Sequence, residues 1–188
     1  MLKKITLASA SPRRKKLLCD AGFSVRVLPS KVKEKDTYGR PSSLAMHNAL
    51  LKARDISSKI NQGLILAADT VIYFRGKIIG KPRSRKEAFK ILSRLQGKKH
   101  WVYTGVCLIF MPKKQQVCFY DKSAVFFKKM TLDEIRNYHR LVNPMDKAGA
   151  YAIQEHNKII LRKYEGSFSN IMGLPVEKLN KQIKKVSS

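Results

Sequence analysis

The run Leu64-Ile-Leu-Ala-Ala-Asp-Thr-Val-Ile-Tyr-Phe74 leaves this chain the fewest choices of fold. It is nearly continuous in apolar and β-branched residues, which reads as a central strand buried on both faces. Asp69 is the anomaly inside it. A carboxylate in such a strand must be paired, hydrogen-bonded or metal-bound, because an isolated buried charge costs several kcal/mol (roughly) or neutralises itself. Capping or an ion pair with a nearby lysine is the structural explanation; chemistry is the other.

A second constraint lies upstream, in Leu7-Ala-Ser-Ala-Ser-Pro-Arg-Arg-Lys-Lys-Leu-Leu18. An apolar strand end passes into a hydroxyl-rich turn and then a basic helix start. Ser9 and Ser11 can cap that helix, and Pro12 suits its first turn, where a missing N–H is no loss. Free N–H groups and the positive end of the helix dipole make such a turn an anion site, and Arg13 and Arg14 add guanidinium forks that grip phosphate oxygens in pairs. Read on its own, the segment is equally an ordinary capped helix with solvated arginines.

At 188 residues and 44% apolar content the chain suits one domain with a substantial core, or two small lobes around a cleft. No stretch of about eighteen apolar residues occurs, and Met1-Leu2-Lys3-Lys4 leads into a strand rather than a signal-peptide core. A cytoplasmic protein with no membrane contact is the expectation. Cys19, Cys107 and Cys118 lack metal-ligand spacing and read as reduced core residues. The formal charge of +26 makes nucleic-acid binding a rival reading. Its lysines are spread as doublets along the whole chain, so a solvated surface with weak, salt-sensitive, non-specific nucleic-acid contact is the simpler consequence.

The patterning predicts α/β structure with antiparallel elements. A strand at 23–28 and a polar loop at 29–41 containing Glu34 precede a helix from Ser42 or Ser43 to Ile60. Ala45, Ala49, Lys52, Ile56 and Ile60 share one face of it. Lys52 reads either as a lysine snorkelling at the core edge or as an ammonium aimed into a cleft. Gly80-Lys81-Pro82 is a constrained loop that presents Lys81. Ser84-x-x-Glu87 and Thr131-x-x-Glu134 are capping boxes opening two further helices, the second ending near Leu141. Strands at 101–110 and 117–127 form a hairpin, 146–154 enters another short strand, 159–164 continues the sheet, 166–175 is a loop, and 176–186 is a basic amphipathic helix.

Several chemistries are excluded by their missing motifs. No Gly-x-x-x-x-Gly-Lys-Ser/Thr, Gly-x-Gly-x-x-Gly, Cys-x-x-Cys, His-Glu-x-x-His or Gly-x-Ser-x-Gly occurs. His47, His100, His139 and His156 show no ligand spacing.

What remains resembles the Maf family of nucleoside triphosphate pyrophosphatases. Leu7-Ala-Ser-Ala-Ser-Pro-Arg-Arg14, Ala68-Asp-Thr70, Gly80-Lys-Pro82, Asp146-Lys-Ala-Gly-Ala-Tyr151, Ile153-Gln154 and Gly173-Leu-Pro175 stand in family order across nearly the whole chain. The resemblance implies a single Maf-like domain over 1–188. It also implies the family's Maf/ITPase-like fold, a mixed, elongated sheet flanked by helices with a cleft between two lobes. The implied reaction is hydrolysis between the α and β phosphates, with a divalent cation such as Mg²⁺ or Mn²⁺. Asp69 matches the family's proton acceptor and Glu34 its carboxylate partner, both candidate metal ligands. Ser9, Arg14, Lys52 and Lys81 match triphosphate-binding positions, and Arg13, Thr70 and Gln154 match those that set base choice.

The residues at those last three positions resemble the branch that cleaves dTTP and UTP, and a side-chain amide such as Gln154 can both donate to and accept from a pyrimidine edge. Modified pyrimidine nucleotides fit the same residues. The chain departs from the family pattern at Lys31 and Lys33, in a loop that is usually acidic, at Ala152 in place of glycine, and at Glu155-His-Asn157 in place of a glycine-rich turn. Family resemblance allows a homodimer. The competing reading is a basic binding protein of the same fold that holds nucleic acid or a division partner.

Overall fold

The computed structural model describes residues 4–187, with the side chain of Ser187 left out. The lead-in at Met1-Leu2-Lys3 lies outside the described residues. Within them seven strands form one mixed sheet. In chain order the elements are β1 (Lys4–Leu7), α1 (Pro12–Asp20), β2 (Ser24–Val27), α2 (Pro41–Ser57), β3 (Gly63–Phe74), β4 (Lys77–Ile79), α3 (Arg85–Leu95), β5 (Lys99–Met111), β6 (Gln115–Phe127), α4 (Leu132–Leu141), a 3-10 turn (Ala148–Ala150), α5 (Asn157–Ile160), β7 (Leu161–Glu165), α6 (Phe168–Met172) and α7 (Val176–Ser187). The sheet order is β2-β1-β3-β5-β6-β7, with β4 on β3.

The chain divides into two compact units, and β3, β5 and β6 contribute residues to both. Among the described residues the first comprises 4–70, 104–121 and 173–187. Here β1 pairs parallel with β2 and with β3, Ile5 opposite Val25 and Leu64. One apolar cluster joins Leu7, Leu18, Leu66, Leu108 and Leu179; a second joins Ala49, Ala53, Ile56, Ile65 and Cys107. As its apolar run predicts, β3 is buried over 65–69 with Asp69 included. The seat of α2 depends on Gly105, because a Cβ there would stand 2.3 Å from the backbone of Ala45 and Met46. A side chain of any size would push the helix off β5.

The second unit comprises 71–103 and 122–172. Its pairings are antiparallel, β3 with β4 and β6 with β7. Its core gathers Ile72, Leu92, Val125, Ile135, Tyr138 and Tyr151. The Thr131 box forms in full, with the Thr131 hydroxyl accepting from Glu134 N–H and the Glu134 carboxylate accepting from Thr131 N–H. At α3 only half of the expected box forms. Ser84 accepts from Glu87 N–H, but the Glu87 carboxylate takes the N–H of Arg83 instead.

Three further expectations are corrected. The strand predicted over 146–154 is absent: Gly149 and Ala150 have φ of 72° and 61°, which turns the chain into a 3-10 turn and cannot continue a strand. The loop predicted over 166–175 contains α6, with Asn170 N–H bonded to the Ser167 hydroxyl. Cys19 is exposed rather than a core residue, because it lies about 100° round α1 from buried Leu18; Cys107 is buried and Cys118 half-buried.

Candidate active site

The start of α1 is held by its own hydroxyls. Ser11 caps the helix by accepting from Arg14 N–H, Pro12 fills the first turn, and the Ser9 hydroxyl accepts from Ser11 N–H at 3.2 Å. No acidic residue enters that first turn, so its N–H groups and dipole present unopposed positive character. Arg14 then fans across three partners. Its Nη1 donates to Ser9 Oγ at 3.1 Å, Nε to the Gly173 carbonyl at 2.9 Å and Nη2 to Thr70 Oγ1 at 3.1 Å. Thr70 shares a further hydrogen bond of 3.0 Å with Thr104. Burial lowers the pKa of Arg14 from its ordinary value, while Asp69 and Glu34 act in the opposite direction and Arg13 adds to the lowering.

The second cluster is built from α2 and β3. Lys52 is 7% exposed, and its ammonium lies 2.9 Å from Asp69 Oδ1 and 2.5 Å from Glu34 Oε1, while also donating to the Ala68 carbonyl at 3.3 Å. The lysine that interrupts the apolar stripe of α2 is therefore the cation that draws two carboxylates together. Asp69 and Thr70 are consecutive on β3 and point to opposite faces, so one strand carries a carboxylate toward Lys52 and a hydroxyl toward Arg14.

Asn48 completes the cluster and was not among the residues singled out from sequence. Its Nδ2 donates to Asp69 Oδ2 at 3.1 Å and to the Lys35 carbonyl at 3.0 Å, and its Oδ1 accepts from Lys35 N–H at 2.9 Å. One buried amide thus orients Asp69 and pins the backbone beside Glu34. The signal was present in the spacing, since Asn48 lies one helical turn before Lys52 and shares its face.

The first unit therefore brings together Ser9, Arg14 and Thr70 in one group and Glu34, Lys52 and Asp69 in another. Arg13 sits half-buried on the first turn of α1. Lys81 and Gln154 belong to the second unit. Lys81 is exposed between β4 and α3, and Gln154 donates to Glu155 Oε1 at 2.9 Å.

The profile of the family described as "Maf-like protein" matches residues 4–186. The chain belongs to the Maf-like family. It is 41% identical to a dTTP/UTP pyrophosphatase of Carboxydothermus hydrogenoformans, over 96% of this chain and 97% of that protein. It is 40% identical to a dTTP/UTP pyrophosphatase of Caldicellulosiruptor saccharolyticus, over 98% and 96% respectively. The Staphylococcus aureus Ham1 protein shares the fold at 13% identity, with a TM-score of 0.51 over 99% of this chain and 100% of that one. A Maf-like chain is thus joined to the Ham1 architecture by fold rather than by sequence. No helix among its described residues is long and apolar enough to cross a membrane.

Proposed function

We propose that this chain is a nucleoside triphosphate pyrophosphatase that cleaves dTTP and UTP, with base-modified pyrimidine triphosphates in the same class, to the monophosphate and pyrophosphate. The observation that carries the reading is the Lys52 ammonium holding Glu34 and Asp69 together, in the unit that also contains the capped, basic start of α1. The two curated relatives carry that activity in their names.

The donor set suits a divalent ion such as Mg²⁺ or Mn²⁺. Glu34 and Asp69 converge on one cation, both offer hard oxygens, and ions of this kind take one or two carboxylates and leave the rest of their shell to phosphate and water. Bound there, the ion would supply Lewis-acid polarisation of the phosphoryl group.

In this reading Asp69, held in orientation by Lys52 and Asn48, takes the proton of the water that attacks the α-phosphorus. The bond from that phosphorus to the bridging oxygen breaks and pyrophosphate departs. Arg14, Ser9 and the first-turn N–H groups of α1 bind phosphate oxygens. Lys81 is assigned to the triphosphate, and Arg13, Thr70 and Gln154 to the choice of base, on the family resemblance. The whole of 1–188 acts as one domain in the cytoplasm. A homodimer is the assembly this reading favours, and sedimentation measures it.

Pyrophosphate release from dTTP, UTP, CTP, GTP, ATP and a 5-modified UTP, with Mg²⁺ or Mn²⁺, tests the proposal against Asp69→Asn. Cleavage selective for the pyrimidines dTTP and UTP, abolished in the variant, is the expected result. Release that persists in Asp69→Asn overturns the assignment of Asp69, and no release from any triphosphate brings forward the binding-protein reading.

A further inference from the structure

The second unit carries a surface that the hydrolytic residues leave unused. Along β5, His100, Val102 and Thr104 are buried while Lys99 is exposed and Trp101 and Tyr103 are half-exposed, so the alternation of the strand presents lysine, tryptophan and tyrosine on one face. Phe126 of β6 and Tyr73 of β3 are also half-exposed, and Tyr73 meets Tyr103 edge-on at 6.3 Å.

Lysines cover these rings. The Lys122 ammonium lies 3.8 Å from the Trp101 ring centre and 5.7 Å from that of Tyr103. Lys99 lies 4.3 Å from Trp101 and 5.1 Å from Phe126, and Lys163 lies 4.5 Å from Phe126. Lys163 also engages the Glu165 carboxylate at 2.7 Å. Alongside lies an open cavity of about 440 Å³ whose lining includes Tyr73, Arg75, Lys98, Lys99 and Trp101.

Aromatic rings interleaved with lysines on an exposed sheet are a poor use of apolar surface unless something with its own flat faces and negative charge comes to them. Ammonium ions resting on exposed rings are weakly held. A phosphate can draw the ammonium aside while a base takes its place on the ring, so a polynucleotide satisfies both groups together. Trp101 and Tyr103 stand about 6.6 Å apart along one strand, which lets successive unpaired bases use successive rings. A duplex keeps its base faces stacked internally and offers none to such a surface. An acidic peptide would meet the lysines but leave the rings unmatched.

We propose that the sheet face centred on Trp101 binds single-stranded nucleic acid, with bases stacking on Trp101 and Tyr103 and phosphates held by Lys99, Lys122 and Lys163. The inference does not rest on the hydrolase reading, with which it shares no residue. It adds to the general attraction of a +26 chain a defined place where that attraction becomes binding.

Trp101 is the only tryptophan in the chain, so its emission reports directly on its own surface. The full-length protein, in buffer with EDTA, is titrated with a twelve-nucleotide single-stranded oligothymidylate. Saturable quenching is expected, with a log–log salt slope of about −2 for three neutralised phosphates. Anisotropy of the labelled oligonucleotide then compares variants. Trp101→Ala and the Lys99→Ala/Lys122→Ala double variant should bind about tenfold or more weakly, Trp101→Phe should bind close to the native level, and Lys113→Ala/Lys114→Ala, an equal loss of charge at exposed positions outside this face, should change little. Hydrolysis of dTTP should be the same in Trp101→Ala as in the native protein. Undiminished binding by both Trp101→Ala and the double-lysine variant overturns the proposal. So does equal binding of a duplex of the same length, or competition by thymidine monophosphate at matched nucleotide concentration, which would make the face a mononucleotide site.

Discussion

Lys52 Nζ stands 2.9 Å from Asp69 Oδ1 in the interior of the first unit, and Glu34 reaches the same ammonium from the surface. The two carboxylates are close because the lysine separates their charges. Lys52→Met keeps the buried stem and removes the charge, so Glu34 and Asp69 then repel each other. Loss of one partner of a buried pair costs about 3–5 kcal/mol, and the low end applies because the Glu34 side chain is 39% exposed. Hydrolysis should fall at least about a hundredfold. A divalent ion can take over as the neutralising charge, so Mg²⁺ should raise the melting temperature of Lys52→Met more than that of the native protein. Equal metal-induced shifts in the two proteins would show that Glu34 and Asp69 do not form a common ion site.

Asn48 is a positioning residue, and its two substitutions should rank in a definite order. Asn48→Ala removes the bonds to Asp69 and to both backbone groups of Lys35, and losses of this kind beside a metal site lower activity about 10- to 100-fold. Asn48→Asp preserves an acceptor for Lys35 N–H but sets a carboxylate where an amide nitrogen lies 3.1 Å from Asp69 Oδ2. It should be the poorer enzyme, and its metal requirement should shift further than that of Asn48→Ala. Steady-state kinetics over a Mg²⁺ series tests the order, and an Asn48→Asp enzyme equal to the native one would remove Asn48 from the site.

Gly105 tests the scaffold rather than the chemistry. An added methyl would come 2.3 Å from Ala45 and Met46 backbone atoms, and two backbone segments cannot yield as a flexible side chain can. Overpacking of this kind costs about 1–3 kcal/mol or more. Because α2 carries both Asn48 and Lys52, Gly105→Ala should lower the melting temperature and activity together, whereas Gly76→Ala, with open space around its Cβ position but a φ of 79° that strains any side chain, should lower the melting temperature and leave hydrolysis intact. Calorimetry and turnover on the same samples decide the matter.

Periodicity carried much of this architecture in advance. β3 falls one residue from its predicted start, α4 ends at Leu141 as expected, and Lys52 occupies the face its spacing assigned. Those features depend on neighbours within a few residues. Glu34 was drawn from a loop by family resemblance, and only the fold places it on Lys52, because their contact joins positions 18 residues apart in separate elements. Asn48 escaped notice because an amide on a helix face has no sequence signature until its partners are known. The false strand at 146–154 arose from a run of alanine and tyrosine whose left-handed turn at Gly149 and Ala150 overrides its apolar pattern. Gly105 did carry a signal, as an isolated glycine in a strand marks a close backbone approach.

His100 should make the second unit sensitive to acid. It is 1% exposed, shares a 2.8 Å hydrogen bond with the Tyr151 hydroxyl, and packs edge-on against Phe127 at 4.7 Å. Burial pushes its pKa down to about 3 from 6.5, so the folded protein keeps the ring neutral while the unfolded chain takes up a proton. Above pH 6.5 neither state is protonated and His100 contributes its full share of stability. As pH falls from 6.5 toward 3 the unfolded state binds more protons, and stability declines by up to about 1.4 kcal/mol per pH unit on account of this one group. His139 is shifted in the same direction, and carboxylates titrate in the lower part of the range, so the informative quantity is the difference between the native protein and His100→Gln. Glutamine can still bond Tyr151 but carries no titrating proton. Urea unfolding at pH 7.5, 6.0 and 5.0 should show His100→Gln less stable than the native protein at the highest pH, with the gap narrowing as pH falls. Parallel pH profiles for the two proteins would mean that His100 is protonated in the folded state or that its surroundings open before the rest of the unit unfolds.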